Sequence, residues 1–136
     1  MDDMLLFAQR ILANQPFSAL LGTQLTAFAA NGVELRLPLR PELLQQHGFV
    51  HGGVLSYLAD NALTFAGGAA LGPNVLTSSY TISYVRPARG EQLVARASVV
   101  ALGRRQATCR CEILALTGSE ETLCALAQGT IVAVGE

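Results

Sequence analysis

Residues 51–70, HGGVLSYLADNALTFAGGAA, read as one helix that is apolar around most of its circumference and carries a single acid, Asp60. A helix of that kind is buried, so the rest of the chain must wrap it. Leaving a carboxylate unpaired in such a setting costs several kcal/mol (order of magnitude), so Asp60 needs a partner or a task. The glycine pair at the helix start leaves room for a ligand to approach the first free N–H groups.

The flanking segments supply the wrapping. Residues 23–29 and 33–39 read as two strands joined by a turn at Asn31-Gly32. Val33, Leu35, Leu37 and Leu39 alternate with Glu34 and Arg36, giving one buried and one wet face. A loop follows at 40–50, then the helix from about 53 to 70, closed by Gly72-Pro73-Asn74. Strands are expected at about 75–86, 91–102, 105–117 and 121–134, with turns at Arg89-Gly90, Gly103-Arg104 and Gly118-Ser119. Tight turns imply antiparallel neighbours, so the fold class is α+β with one antiparallel sheet around the long helix. The small residues Ala107, Cys109, Cys111, Ile113 and Ala115 share one strand face, where a helix can lie close. At the N-terminus, Met4, Phe7, Ala8, Ile11 and Leu12 follow helical spacing over residues 3–13, ending before Pro16.

Length and composition then exclude several classes. The 136 residues read as a single domain spanning 1–136. Charged residues are only 14% against 51% hydrophobic, which points to surface buried by self-association. A net charge of −1 gives no support for nucleic-acid binding, and no apolar run of about 18 residues is present to span a membrane. Asp2 and Asp3 stand where a secretory signal would be basic. Cys109, Cys111 and Cys124 lack zinc spacing and read as core thiols in a reduced, cytoplasmic compartment. With two histidines and no acidic cluster, neither a metal nor another cofactor is indicated. No Gly-Xaa-Ser-Xaa-Gly elbow suggests a serine hydrolase.

Chemistry therefore centres on the helix. Tyr57, Asp60, Asn61 and Thr64 fall at i, i+3, i+4, i+7 and make one narrow polar stripe. Asp60 reads either as a structural acceptor or as base or nucleophile on an acyl carbonyl, base catalysis contributing about 10²–10⁴-fold. A backbone N–H at Gly52 or Gly53 is the matching oxyanion donor, worth about 10²–10³. Eight residues at about 1.5 Å each separate Gly52 from Asp60 by about 12 Å along the axis. One carbonyl cannot touch both, so two helices related by a two-fold axis are required, each lending its glycine end to the other's acid.

Gln45, His51-Gly52-Gly53, Leu58-Ala59-Asp60-Asn61-Ala62 and Tyr84-Val85-Arg86-Pro87-Ala88 resemble the phenylacetate-pathway branch of the hotdog-fold acyl-CoA thioesterases. The likeness runs from Pro16-Phe17 and Leu21-Gly22 to the last strand. It implies a hotdog fold that hydrolyses an acyl-CoA thioester, with coenzyme A as part of the substrate. By this resemblance Asp60 stands for the catalytic carboxylate, and Gly52 for the N–H that polarises the carbonyl across a dimer interface. Gln45 matches a position that places the carbonyl or water. Thr77 falls near one that holds the attacking water, with Ser78 and Ser79 as alternatives. His51 supports the loop and helix start in the family pattern, a direct role as base being the alternative, and His51, Gly53, Tyr57 and Asn61 are candidates for substrate binding. Homodimers pairing into homotetramers are the implied assembly. Arg86 and Arg89 are the better pair of candidates for the coenzyme A phosphates, ahead of Arg104 and Arg105. Phe49, Tyr57 and Phe65 are candidates for lining the acyl pocket, and His47 for a solvated loop position. A non-catalytic acyl-CoA-binding protein and a hotdog dehydratase are the competing readings. The former calls for a fused DNA-binding region, the latter for a His–acid pair on facing subunits.

Overall fold

The computed structural model describes residues 2–135. Its elements run α1 (Asp3–Ala13), α2 (Pro16–Leu21), β1 (Gln24–Ala29), β2 (Gly32–Pro38), a 3-10 turn (Pro41–Leu43), α3 (Gly52–Leu71), β3 (Val75–Tyr84), β4 (Gln92–Leu102), β5 (Gln106–Thr117) and β6 (Glu120–Ala133). The strands form one antiparallel sheet in the order β1-β2-β4-β5-β6-β3, and α3 packs against its inner face. This is the α+β hotdog arrangement that the sequence implies.

Small side chains explain the close fit. Ala107, Cys109, Cys111, Ile113 and Ala115 of β5 are all buried, facing Leu58, Ala59, Ala62, Leu63 and Ala66 of α3 across the core. Gly67 marks the tightest approach, since a Cβ there would lie 2.5 Å from Ile131 of β6. The helix keeps a poor helix former at that point because the sheet leaves no space for a methyl group. The three cysteines are free and buried. Burial pushes the Cys109 thiol up to about 11, and burial with the nearby Glu112 charge lifts Cys111 to about 12. Such thiols are protonated at neutral pH and are inert as nucleophiles.

Three expectations are corrected. The turn at Arg89-Gly90 does not join neighbours, because β3 lies at the far edge beside β6 while β4 pairs with β2 and β5. Residues between them cross the start of α3, where Val50 N–H donates to Ala88 O at 2.9 Å. The first hairpin turns at Ala30 and Asn31, with Gly32 already paired to Ala29 and holding a φ of 155°. Finally, Pro16 does more than stop α1. It occupies the first turn of α2, a six-residue helix that Gly22 ends at φ 89° and that is too short to leave a periodic pattern.

Candidate active site

Strand β3 runs antiparallel to α3 and is tied to it at three levels. Tyr84 OH donates to Gly52 O at 3.3 Å, the Tyr80 and Ser56 hydroxyls are bonded, and Thr77 Oγ1 donates to Asp60 Oδ1 at 2.6 Å. A bulge between Thr77 and Ser79 makes this ladder possible. Before it the half-buried positions are Val75 and Thr77; after it they are Tyr80 and Ile82. The inward face thus switches from odd to even numbers, and Thr77 rather than Ser78 or Ser79 meets the acid.

Asp60 is half-buried and borders a pocket of about 220 Å³ with Tyr57, Asn61, Thr64 and Thr77. Thr64 Oγ1 lies 2.8 Å from both Asp60 O and Thr77 Oγ1. Two hydroxyl protons serve these three contacts when the carboxylate is ionised. Thr77 then gives its proton to Asp60, and Thr64 gives its own to the Asp60 carbonyl or to Thr77. Among the described residues no other hydrogen bond reaches the carboxylate, which leaves Oδ2 open to the pocket. The rest of the polar stripe turns toward α2. Tyr57 OH bonds Ser18 at 2.6 Å and Thr23 at 2.7 Å, and Asn61 donates to Gln15, Ser18 and Tyr57. Ser18 is buried within this network, which fixes the pocket wall beside Asp60.

The second half of the expected site lies at the other end of the helix. His51 caps α3, its Nδ1 accepting from Gly53 N–H at 2.8 Å. A Cβ on Gly53 would lie 2.9 Å from that Nδ1, so the cap and the glycine go together. The Gly53 N–H is thereby occupied, whereas the Gly52 N–H has no acceptor among the described residues. Gly52 opens onto a separate pocket of about 350 Å³ with Gln45, Phe49, Tyr84 and Arg86. Gln45 holds the loop in shape through its side chain, which accepts from His47 N–H.

Several expected residues sit elsewhere than the sequence placed them. Arg86, expected as the last residue of the strand, lies with Arg89 in the loop after β3. Arg86 donates to Leu123 O at 2.8 Å and Arg89 stacks 4.7 Å over the Phe49 ring. Arg105 is engaged with Ala133 O and Gly135 O. The three aromatics do not share a pocket. Phe49 borders the Gly52 pocket, Tyr57 the Asp60 pocket, and Phe65 a third cavity under α1. Tyr84 and Thr64, to which the sequence alone assigns no role of their own, also take part in the site. Tyr84 stands at the head of its motif, and Thr64 on the polar stripe, so both signals were present.

A family profile described as "Thioesterase superfamily" matches residues 47–122, more than half of the chain and both halves of the site. The chain belongs to the thioesterase superfamily. A Halobacterium salinarum protein named "Putative esterase" is 33% identical over 98% of this chain and 89% of its own length. The crystal structure of a thioesterase family protein from Silicibacter pomeroyi is 32% identical with a TM-score of 0.85, covering 95% of this chain and 99% of that one. The PaaI protein from the E. coli phenylacetic acid degradation operon shares the fold at 24% identity and a TM-score of 0.82, over 94% of this chain and 91% of its own. No helix among the described residues of this superfamily member is long and apolar enough to cross a membrane.

Proposed function

We propose that the protein is an acyl-CoA thioesterase of the phenylacetate-pathway branch, acting in the cytoplasm as a homodimer that pairs into a tetramer. One observation carries the reading. The carboxylate of Asp60 and the free N–H of Gly52 open onto different pockets of the same helix, about 12 Å apart at 1.5 Å per residue.

Strand β3 supplies a way to join them. It is an edge strand of ten residues without a single charge, and its exposed apolar residues Leu76 and Tyr84 stand beside the two half-sites. An uncharged edge of this length is a template for pairing with another strand. Antiparallel pairing with a second copy, about a two-fold axis near Tyr80 and Thr81, sets Thr77 of one protomer against Tyr84 of its partner. Asp60 then faces the partner's Gly52.

In that shared site a water held by Asp60 Oδ2 and Thr77 attacks the thioester carbon. Asp60 takes the water proton, the carbonyl oxygen becomes an oxyanion on the Gly52 N–H, and Gln45 orients the group. Collapse breaks the C–S bond, and the proton passes from Asp60 to the departing thiolate. Direct attack by the carboxylate gives the same products through an acyl-enzyme. Arg86 borders the Gly52 pocket and Arg89 stacks on its Phe49, and most of their donors are left for coenzyme A phosphates.

The test is free-thiol release from a panel of acyl-CoAs. Asp60→Ala should lower turnover by about 10²–10⁴-fold while the fold and assembly persist. Full activity in that variant would make Asp60 structural.

A further inference from the structure

A cavity of about 270 Å³ separates α1 from α3. Helix α1 buries Ala8 and Leu12 against the core, but Met4 and Phe7 remain more than half exposed beside this cavity. They form its outer wall. Phe65 of α3 and Phe28 of β1, packed edge to face at 6.3 Å, form the inner one.

The cavity adjoins the Asp60 pocket, and Gln15, Thr64 and Val75 border both. Thr64 stands at that shared border, its Oγ1 2.8 Å from the Asp60 carbonyl oxygen. Among the described residues, Gln15 and Thr64 are its only hydrogen-bonding side chains, and both sit at that shared border: Gln15 Oε1 accepts from Ser18 and Asn61, Thr64 Oγ1 is engaged with Asp60 O, and only the Gln15 amide N–H groups have no acceptor there. No other side chain of the lining offers a donor or acceptor to a hydroxyl or a charge.

We propose that this cavity receives the acyl group and selects an uncharged, unhydroxylated apolar acyl group of medium size. The assignment rests on the thioesterase reading. At about 30 Å³ for each water-sized group, the cavity holds about nine non-hydrogen atoms, an octanoyl or phenylacetyl group rather than a palmitoyl. Phe7 and Gly68 set its limits from opposite sides. A Cβ on Gly68 would meet Val75 at 3.6 Å, an ordinary contact, so α3 accepts a side chain there and its further carbons enter the cavity.

The experiment compares kcat/KM of the full chain on acetyl-, octanoyl-, palmitoyl-, phenylacetyl- and 8-hydroxyoctanoyl-CoA. Octanoyl and phenylacetyl should lead, and the terminal hydroxyl should cost about 10–100-fold. Gly68→Leu should lower the octanoyl-to-acetyl ratio at least about tenfold, and Phe7→Ala should move the optimum to longer chains. Gly68→Ala, which adds only the tolerated methyl group, should give a smaller fall in the same ratio. A flat chain-length profile, or ratios unmoved in the variants, overturns the cavity assignment and leaves the thioesterase standing. Thiol release from none of the substrates overturns both. Loss of the dimer in Phe7→Ala, with the profile unchanged, assigns the exposed wall to a second copy and overturns the inference. Should Gly68→Leu not fold, Phe7→Ala and Gly68→Ala decide.

Discussion

Thr77 on β3 donates its hydroxyl proton to Asp60 Oδ1 on α3 at 2.6 Å, and the bulge after Thr77 aims that hydroxyl at the helix. A hydrogen bond to an ionised group contributes about 1.5–3 kcal/mol. Thr77→Val should accordingly lower kcat/KM by about 10–100-fold, measured by thiol release. Thr77→Ser keeps the donor and should recover most of the rate. Full activity in Thr77→Val would show that the donated proton is not needed.

The proposed division of the site between subunits makes a mixing experiment possible. Gly52→Pro replaces the N–H with a ring that the first turn of a helix accepts, since His51 is already extended at ψ 135° and a Cβ at 52 would meet Tyr84 at an ordinary 3.7 Å. Gly52→Pro and Asp60→Asn should each be nearly inactive alone. Refolded together in equal amounts, half the dimers are mixed and carry one intact site of two. Activity should return to about a quarter of wild type. No recovery on mixing, with mixed dimers demonstrated, would place both groups of each site in one chain.

His51 caps α3 through Nδ1, and Gly53 N–H is its donor. Loss of an N-cap side chain costs about 0.5–2 kcal/mol, so His51→Ala should melt earlier than wild type. His51→Asn presents a side-chain oxygen to the same N–H and should restore both melting temperature and turnover. An Asn variant that folds normally but does not turn over would give His51 a chemical role.

On the outer face of the sheet, Glu34 accepts from Thr26, Arg36 and Arg96, and Arg96 also pairs with Glu121 at 2.7 Å. Burial alone pushes the Glu34 carboxyl up, but hydrogen bonds from Thr26, Arg96 and Arg36 together outweigh it and leave it below the usual range. A lowered native pKa favours folding above the unfolded value of about 4.3, and the gain disappears as pH falls through the native value. Glu34→Gln should therefore lose about 1 kcal/mol at neutral pH in urea melts, and match wild type in strong acid.

The core was legible because burial leaves a regular signature. Leu35 and Leu37 alternate with Glu34 and Arg36, and Cys109 and Cys111 keep the small-residue row of β5, all as the sequence indicates. Strand order was less legible. The residues 85–91 contain a good turn signal at Arg89-Gly90, yet a turn does not say which strand it leads to, and β3 pairs with β6 across the whole chain. Thr77 could not be separated from Ser78 and Ser79 by sequence, since the bulge breaks the alternation there. Asp60 and Gly52 stood out by type and spacing, and Gln45 only through the family resemblance. The cavity beneath α1 did not, because Phe28, Phe65 and Met4 come from three distant segments that only the folded chain assembles.

The carboxylate stands on α3 and its hydroxyl partner on β3, whereas the outer wall of the third cavity is furnished by α1, an eleven-residue segment at the margin of the sheet. On the proposed reading, drift in that peripheral helix reshapes one wall of the acyl cavity, while the opposite wall and the reacting groups stay together on α3 and the sheet beneath it.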